Sequence, residues 1–384
     1  MLITAAMIVR NEEQFLGDCL ASIAGLVDEV VVVDTGSHDR TREIAREHGA
    51  RVFEFPWTDD FSAARNRALE LSRGEWILYI DADERMRPGA ADQVRAQLAA
   101  GRDTAGEYVW LHPRPGHTAY RVLRFFRNHP AIRFEGVIHE TMWPSLHRYC
   151  DATGRGIDMS EMVLDHLGYE ENQDRKHARN LPLLLRAVAA DPLRIYASSH
   201  LADTYMAIGK PELAEETLLQ AIRVIRQYPG ELADSVLPFI GILQYYSSLG
   251  RDTAALLREA RQRYPDNLHL IWMEAEALMQ KRAFGAAILR LEEIVAVRDP
   301  ARPGISAGSP AAYDRKLFDL YPYRALANCH FRLKNFAASR RYFRLASECD
   351  PACQEYRVKE ALCARLEAQS KRKISHEISL EQTV

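Results

Sequence analysis

The sequence predicts an α/β domain with a mostly parallel sheet and helices on both faces, followed by an all-helical repeat domain. Short apolar runs alternate with helical patterns in the first part of the chain, and four successive valines at residues 30–33 follow one such helix. An apolar run of this kind is typical of a parallel strand that is covered on both faces. Beyond residue 172 the strand patterns end, and apolar residues recur only with helical spacing.

The elements of the first domain alternate in a regular order. Strands are predicted over residues 2–9, 29–33, 51–55 and 76–80, and helices over residues 15–23, 42–48 and 60–71. Gly36 permits a tight turn after the second strand, and Ser37 and Asp39 are placed to cap the helix that follows. Strand–helix–strand units of this type set neighbouring strands parallel in one sheet.

Polar side chains follow three of these strands, at the point where each strand ends. Asn11 and Glu12 follow the first strand, Asp34 the second, and the stretch Asp81-Ala82-Asp83 the fourth. In an open α/β sheet, ligands bind at the carboxyl ends of the strands, so these side chains should meet at one edge. Two aspartates this close repel each other, and a divalent metal shared with substrate phosphates would relieve the repulsion. Solvated acids at the start of a loop are the alternative for an isolated pair.

Composition excludes several classes of protein. The formal net charge of −3 predicts no general affinity for nucleic acid. No apolar run approaches the roughly 20 residues that a membrane-spanning helix needs, and the apolar start lacks the basic region of a signal peptide. The six cysteines are scattered without a C-x-x-C motif, which indicates reduced thiols. We therefore expect a cytoplasmic protein without a transmembrane segment.

Four stretches of the first domain together resemble the family 2 glycosyltransferases of the GT-A fold. They are residues 8–13, 33–41, 64–66 and 80–83. The resemblance implies a UDP-sugar donor and Mn²⁺ or Mg²⁺, with Asp83 as a ligand of the metal that bridges the diphosphate. It also implies that Asp34 contacts uracil, Glu12 the ribose, and Asp81 the ribose or the sugar. Thr35 departs from the family, which often carries a second aspartate there.

The nucleotide-sugar site that this resemblance implies comprises Val9, Asn11, Glu12, Asp34, Gly36, Arg65, Asp81 and Ala82. A carboxylate is then needed on the opposite face of the sugar, because the attacking group must lose a proton. Glu140 is the predicted base and Glu135 the second candidate, since both lie in a segment with a glycine turn and a histidine, residues 133–140. The family commonly has a Glu-Asp pair where this chain has His139-Glu140. A surface turn with a capping glutamate is the alternative.

Two histidines are predicted to take part in the metal site. His139 is a candidate partner of Glu140 or a metal ligand, and His166 follows an apolar run that could return a strand to the site. A lone histidine is more often structural, which is the alternative for His166. Trp110, His112 and Trp143 are candidates for the acceptor wall, with core packing as the equal alternative.

The second half of the chain resembles tetratricopeptide repeats. Pro192, Pro229, Pro265, Pro300 and Pro351 are 37, 36, 35 and 51 residues apart, close to the repeat period of about 34 except for the last interval. Gly209 and Gly250 fall where helices must stop. Residues 302–310 form a predicted loop rich in glycine and proline. The expected domains are residues 1–172 for the transferase, 173–368 for the repeats, and 369–384 for a frayed tail.

The sequence thus predicts a metal-dependent, inverting glycosyltransferase that moves a sugar from a UDP-sugar to a polypeptide or glycan acceptor. A transferase domain followed by such repeats resembles bacterial enzymes that glycosylate ribosomally made peptides. The repeats are expected to dock a peptide, protein or glycan acceptor, or to serve as a cap or as the interface of a homodimer. The alternative is a non-catalytic repeat scaffold with a vestigial nucleotide-sugar-binding domain. A nucleotidyltransferase is disfavoured, because residues 7–13 contain no glycine for a phosphate loop.

Overall fold

The computed structural model describes residues 1–100, 103–168, 173–230, 232–297 and 312–381. The chain divides into two compact units. One is built on Met1–Pro238, and the other on Phe239–Ala307 and Tyr313–Val384. The first unit contains a mixed sheet and its covering helices, and the second is helical in the part that is described. This arrangement confirms the predicted fold class, an α/β domain followed by a helical region.

The first half of the sheet has the predicted alternation of strands and helices. The strands are β1 (Ile3–Val9), β2 (Glu29–Asp34), β3 (Arg51–Glu54) and β4 (Trp76–Tyr79). The helices are α1 (Leu16–Ile23), α2 (Thr41–Glu47) and α3 (Phe61–Leu71). All pairs among these four strands are parallel, and Val9 is paired with Asp34. The residues that follow β1, β2 and β4 therefore lie at the same edge of the sheet.

The second half of the sheet is mixed in direction. Its strands are β5 (Glu84–Met86), β6 (Thr104–His112), β7 (Tyr120–Arg127) and β8 (Gly156–His166). Its helices are α4 (Ala91–Ala100) and α5 (Trp143–Thr153). The strand order is β3-β2-β1-β4-β7-β6-β8-β5, in which β7 is antiparallel to β4 and to β6, and β5 is antiparallel to β8. The antiparallel strands could not be read from the short apolar runs.

Apolar side chains cover both faces of the sheet. Along β1, Ile3, Ala5 and Met7 join one buried cluster, and Ala6 joins the cluster on the opposite face. Successive side chains of a strand point to opposite faces, so a strand buried on both sides is apolar throughout. This packing explains why β1 and β2 show no alternation of apolar and polar residues.

The helical region begins at Gln173, and the regular elements described in it are helices. In the first unit these are α6 (Gln173–Ala190), α7 (Ile195–Ala207) and α8 (Pro211–Gln227). They are followed by α9 (Leu237–Ser248), α10 (Ala254–Arg263), α11 (Leu268–Gln280), α12 (Phe284–Val295), α13 (Leu320–Arg332), α14 (Phe336–Cys349) and α15 (Gln354–Glu381). Gly209 and Gly250 end helices with φ values of 72° and 67°, as predicted.

Two boundaries differ from those expected. Helical structure begins at Gln173, close to the expected boundary, but the first compact unit extends to Pro238, because Leu183 and Leu184 of α6 pack with Ile138 of the α/β domain. The predicted tail begins inside a helix, because α15 continues from Gln354 through Glu381. The predicted loop at 302–310, with Asp299 and Pro300, lies outside the described residues. Within the described ranges, no helix combines the length and apolar character needed to cross a bilayer.

Candidate active site

The end of β4 and the end of β8 bring a carboxylate and an imidazole together. After β4 the chain turns through Asp81 and Asp83 into β5, and Glu84 of β5 is paired with His166 of β8. This register places Nε2 of His166 3.1 Å from Oδ2 of Asp83. The backbone N–H of Leu167 donates to the carbonyl of Asp83 at 2.8 Å, which fixes the turn.

The backbone of Gly168 packs directly against the Asp83 side chain. A Cβ built on Gly168 would overlap Oδ2 of Asp83 and would lie 2.8 Å from its Cβ and Cγ. Any side chain at residue 168 would therefore have to displace the carboxylate. Gly168 is required here for close approach and not for its backbone conformation, since its φ is not positive.

Asp83 and His166 have the chemistry of an incomplete metal site. Burial lowers the pKa of His166, but the hydrogen bond to Asp83 and the surrounding carboxylates outweigh this effect, so the pKa is raised. Among the described residues, no group of three or more His, Cys, Asp or Glu side chains could hold a metal ion. The pair therefore fits a cation that takes its remaining oxygen ligands from a substrate diphosphate, as Mg²⁺ commonly does. It does not fit a cage built from protein ligands alone.

Arg65 of α3 links Asp81 to the predicted base. Its Nη2 lies 2.8 Å from Oδ1 of Asp81, and its Nε lies 2.5 Å from Oε1 of Glu140. Burial raises the pKa of Asp81, but Arg65 and Arg124 more than offset this and hold the value at about 2. Both guanidinium groups also lie over the ring of Tyr79, at 5.1 and 4.2 Å from its centroid. The carboxylates of Asp81 and Glu140 are thus fixed relative to each other by one rigid fork.

Glu12 lies among other acids at the same edge. Burial, together with the charges of Asp83 and Asp81, raises the pKa of Glu12 to about 7. A carboxyl group that sits this close to two other carboxylates would be relieved by a cation bound between them. The backbone N–H of Glu12 donates to Oγ1 of Thr41 at 2.7 Å, so α2 holds the loop that carries it.

Asn11 and Asp34 shape the loops that follow β1 and β2. The carboxylate of Asp34 is buried and accepts hydrogen bonds from the N–H groups of Gly36 and Ser37. Oδ1 of Asn11 accepts from the N–H of His38 at 2.8 Å, and its own N–H donates to Oγ of Ser37 at 2.9 Å. Ser37 therefore ties the two loops together and does not cap α2, contrary to the prediction. The predicted capping role of Asp39 is supported, since its Oδ1 accepts from the N–H of Thr41 at 3.0 Å.

Two cavities of the first unit share Arg65, Asp81 and His166 in their linings. The smaller, which we call the Asp83 pocket, has a volume of about 230 Å³ and is lined by Ile8, Val9, Arg10, Glu12, Thr35, Trp57, Phe61, Arg65, Asp81, Ala82, Asp83, His166 and Arg179. The larger, which we call the Trp143 cleft, has a volume of about 1120 Å³. Its lining includes Tyr108, Tyr120, His139, Glu140, Trp143, His147, Arg194 and Tyr196. Glu140 thus lies where the Trp143 cleft meets the residues of the Asp83 pocket.

The structure brings most of the predicted site residues together. Seven of them line the Asp83 pocket: Val9, Glu12, Arg65, Asp81, Ala82, Asp83 and His166. Asn11, Asp34 and Gly36 are not among the described residues that line this pocket. Their hydrogen bonds hold the loops that follow β1 and β2.

Two other predicted residues, Glu135 and His139, are not in the described lining of the Asp83 pocket. Glu135 is exposed and pairs with Arg148 at 2.6 Å, outside the described linings of both cavities. The ring of His139 packs against the rings of Tyr196 and His200. Among the described residues, no group of three or more potential metal ligands contains both His139 and Asp83. Of the three residues predicted to form the acceptor wall, Trp143 is in the described lining of the Trp143 cleft. The ring of Tyr108 also lines this cleft, with its centroid 5.6 Å from that of Trp143.

Sequence reasoning missed several residues of the Asp83 pocket. Trp57 and Phe61 form an edge-to-face pair with ring centroids 4.7 Å apart. Two aromatic residues four positions apart, the second at the start of α3, were a sequence signal that could have been used. Arg179 reaches the pocket from α6 and lies 5.4 Å from the ring centroid of Phe61. No local pattern marks Arg179, because its role depends on how α6 packs.

Comparisons with known proteins agree with the geometry of the first domain. Residues 4–145 match the family model described as glycosyl transferase family 2. A TPR repeat-containing protein of Synechococcus elongatus is 36% identical over 233 residues, covering 59% of this chain and 58% of that protein. The SPbeta prophage-derived glycosyltransferase SunS of Bacillus subtilis is 30% identical over 149 residues, covering 36% of this chain and 34% of that protein. The match thus spans less than two thirds of either curated relative.

A solved structure shows a weaker likeness. The fragment 1–349 of TarS from S. aureus has a TM-score of 0.41 and 14% identity, covering 68% of this chain and 91% of that chain. TarS 1–349 has also been solved in complex with UDP and with UDP-GlcNAc. The family model and the relatives, and not this likeness, support the assignment: the chain carries a family 2 glycosyltransferase domain at its N-terminus, followed by a region of tetratricopeptide-like helices.

Proposed function

We propose that the protein is a metal-dependent, inverting glycosyltransferase that moves a sugar from a UDP-sugar to a polypeptide or glycan acceptor. One observation carries the proposal: Arg65 joins Asp81, next to the Asp83–His166 pair, to Glu140, which lines the Trp143 cleft. A donor site and an acceptor site must meet at the reacting carbon, and these two cavities share the residues that flank such a point.

The Asp83 pocket is the proposed donor site. Asp83 and His166 would hold Mn²⁺ or Mg²⁺ together with the diphosphate, and the metal would neutralise charge on the departing phosphate oxygen. Glu12 would accept hydrogen bonds from the ribose. Arg10 and Arg179 add positive charge to the lining, which suits a diphosphate that gains negative charge as it leaves.

Glu140 is the proposed base. Its carboxylate is held 2.5 Å from Nε of Arg65, which fixes its direction at the boundary of the Trp143 cleft. An acceptor hydroxyl, thiol or amide in the cleft would lose its proton to Glu140 while it attacks the anomeric carbon opposite the leaving diphosphate. A single in-line displacement of this kind inverts the anomeric centre. Glu135 is not proposed, because it pairs with Arg148 away from the described cavities.

A polypeptide is the preferred acceptor. Paired helices of the tetratricopeptide type form extended surfaces that bind peptides and proteins. The Trp143 cleft, at about 1120 Å³, has room for several residues or for an oligosaccharide, and its aromatic rings suit either. A cytoplasmic location and a homodimer stay predictions.

Release of UDP from UDP-glucose, UDP-galactose and UDP-GlcNAc with Mn²⁺ tests the proposal. Wild-type protein should release UDP from one of these donors, and EDTA should stop the reaction. Asp83→Ala should lose activity and UDP affinity together, whereas Glu140→Gln should lose about a hundredfold or more in kcat and keep its UDP affinity. Glu135→Gln serves as the matched control and should retain wild-type rates.

Two outcomes would count against the proposal. If the protein binds UDP-sugars but releases no UDP with any acceptor pool or with water, the scaffold alternative is favoured. If activity survives Asp83→Ala, the metal site is assigned wrongly. A thermal-shift series that includes GDP-mannose tests the nucleotide, because a ligand raises Tm according to its affinity for the folded state.

A further inference from the structure

The segment that carries the proposed base is held along its first half by α3. We call residues 134–141 the Glu140 turn. Oγ of Ser62 donates to the carbonyl of Gly136 at 2.6 Å, and the N–H of Phe61 donates to the carbonyl of Val137 at 3.0 Å. Nδ2 of Asn66 donates to the carbonyl of Phe134, and Oδ1 of Asn66 accepts from its N–H, both at 2.9 Å. These contacts fix where the turn begins.

The second half of the Glu140 turn is contacted by Arg194, the residue before α7. Nη2 of Arg194 donates to the carbonyl of His139, which belongs to the peptide group that leads into Glu140. Nη1 of Arg194 occupies the space where a side chain of Gly136 would stand, because a Cβ built there would overlap it. Gly136 has a φ of 98°, so a glycine is needed both for the backbone and for this arginine.

His139 completes the contact between the turn and α7. Its φ is 50°, and its ring centroid lies 5.0 Å from that of Tyr196 and 4.2 Å from that of His200. Burial, with His200 and Arg194 nearby, lowers the pKa of His139 to about 3. The imidazole is therefore neutral at physiological pH and does not repel the guanidinium beside it. The half-buried Arg194 group faces the carboxylates of Glu140, Asp191 and Glu135.

We propose that Arg194 is a positioning residue, through which the helical region sets the place of the base Glu140. The proposal rests on the proposed function, because it takes Glu140 as the group that accepts the proton. Arg65 directs the carboxylate of Glu140, and Arg194 fixes the peptide group from which that side chain extends. Without Arg194 the turn would keep its attachment to α3 and the backbone pairing of Glu135 with Thr141, but it would lose the hydrogen bond to the peptide group that leads into Glu140.

The test compares Arg194→Ala with Arg186→Ala in the full chain. Arg186 of α6 makes a similar contact, from Nη1 to the carbonyl of Asp59 at 3.3 Å, but it does not touch the Glu140 turn. Arg194→Ala should lower kcat for UDP release from UDP-glucose, UDP-galactose or UDP-GlcNAc by about a hundredfold, the effect expected of a misplacement of about 1 Å. KM for the donor and Tm should stay near wild type. Added guanidinium should restore part of kcat in Arg194→Ala, and Arg186→Ala should match wild type.

The outcomes separate this proposal from the proposed function. If wild type releases UDP, Glu140→Gln does not, and Arg194→Ala is fully active, the positioning role is wrong and the function stands. If wild type releases no UDP, the function fails, and the contact is tested by stability alone. Gly136→Ala should lower Tm, and part of that loss should be absent when Arg194→Ala is combined with it, because the overlapping guanidinium is gone. An unchanged loss would overturn the contact itself.

Discussion

Replacing Gly168 by alanine should impair the proposed metal site without removing any group that could bind a metal or a nucleotide. The added Cβ would overlap Oδ2 of Asp83 and would lie 2.8 Å from two further atoms of that side chain. Carbon atoms in ordinary contact are about 3.5–4.0 Å apart. The Asp83 side chain must therefore shift by roughly 0.7 Å or more, which follows from that contact distance. Gly168 lies where β8 has just ended, so the sheet itself is undisturbed.

The expected loss follows from the size of this shift. A misplacement of about 1 Å near a reacting centre costs about a hundredfold in rate, or about 2.7 kcal/mol. Changing a residue that orients a metal ligand typically lowers metal affinity by about 10–100-fold. We therefore expect Mn²⁺-dependent UDP binding of Gly168→Ala to weaken by about 10–100-fold, with kcat for UDP release falling by a similar factor.

Isothermal titration of UDP, with and without Mn²⁺, measures this effect directly. Gly156→Ala is the matched control, because Gly156 begins the same strand and has open space where its Cβ would stand. The reasoning fails if Gly168→Ala binds UDP with wild-type affinity in Mn²⁺. It fails equally if Gly156→Ala shows the same loss, since the effect would then come from the strand and not from Asp83.

Three further changes test other parts of the site and the sheet. Arg65→Lys should lower kcat for UDP release by about a hundredfold with a smaller change in UDP affinity, because one ammonium group cannot hold Asp81 and Glu140 together. Equal losses in kcat and in UDP affinity would contradict this. Arg179→Ala should weaken UDP binding by about tenfold in a titration at low salt and less at high salt, and a salt-independent loss would argue against a charge effect. Burial raises the pKa of Glu107 from 4.5 to about 7, so the wild type loses stability as pH rises through this range. In urea unfolding, the free energy of unfolding of Glu107→Gln relative to wild type should rise by about 2 kcal/mol between about pH 5.5 and 8.5. A difference that stays constant with pH would refute the raised pKa of Glu107.

The sequence predicted the parallel strands and the acidic edge because their signals are local. The valines of β2 are apolar on both faces and end directly at Asp34, so one short stretch shows the strand, its burial and its polar end. The same holds for β4 and the Asp81–Asp83 turn. The position of His166 was a weaker prediction, because it depends on the antiparallel pairing of β5 with β8 across eighty residues of chain.

Residue type alone could not separate the acids that line the cavities from those that do not. Glu135 and Glu140 are the same residue five positions apart, yet Glu135 faces Arg148 at the surface and Glu140 faces Arg65 in the interior. The glycine at residue 136 and the positive φ of His139 reverse the chain between them. Asp34 and Asp81 both lie at the carboxyl end of a parallel strand. The carboxylate of Asp34, however, accepts hydrogen bonds from the N–H groups of its own loop and is not in the described lining of either cavity.

The helical region contributes to the active site through side chains that only packing can place. Ile138 of the Glu140 turn is buried in one apolar cluster with Leu183, Leu184 and Ala197 of α6 and α7. Because this cluster is shared, removing the helices after residue 172 would expose Ile138 and release the turn, together with the two arginines that α6 and the start of α7 supply. The residues of the candidate site therefore belong to the compact unit built on Met1–Pro238, and the change to helical structure at Gln173 falls inside that unit.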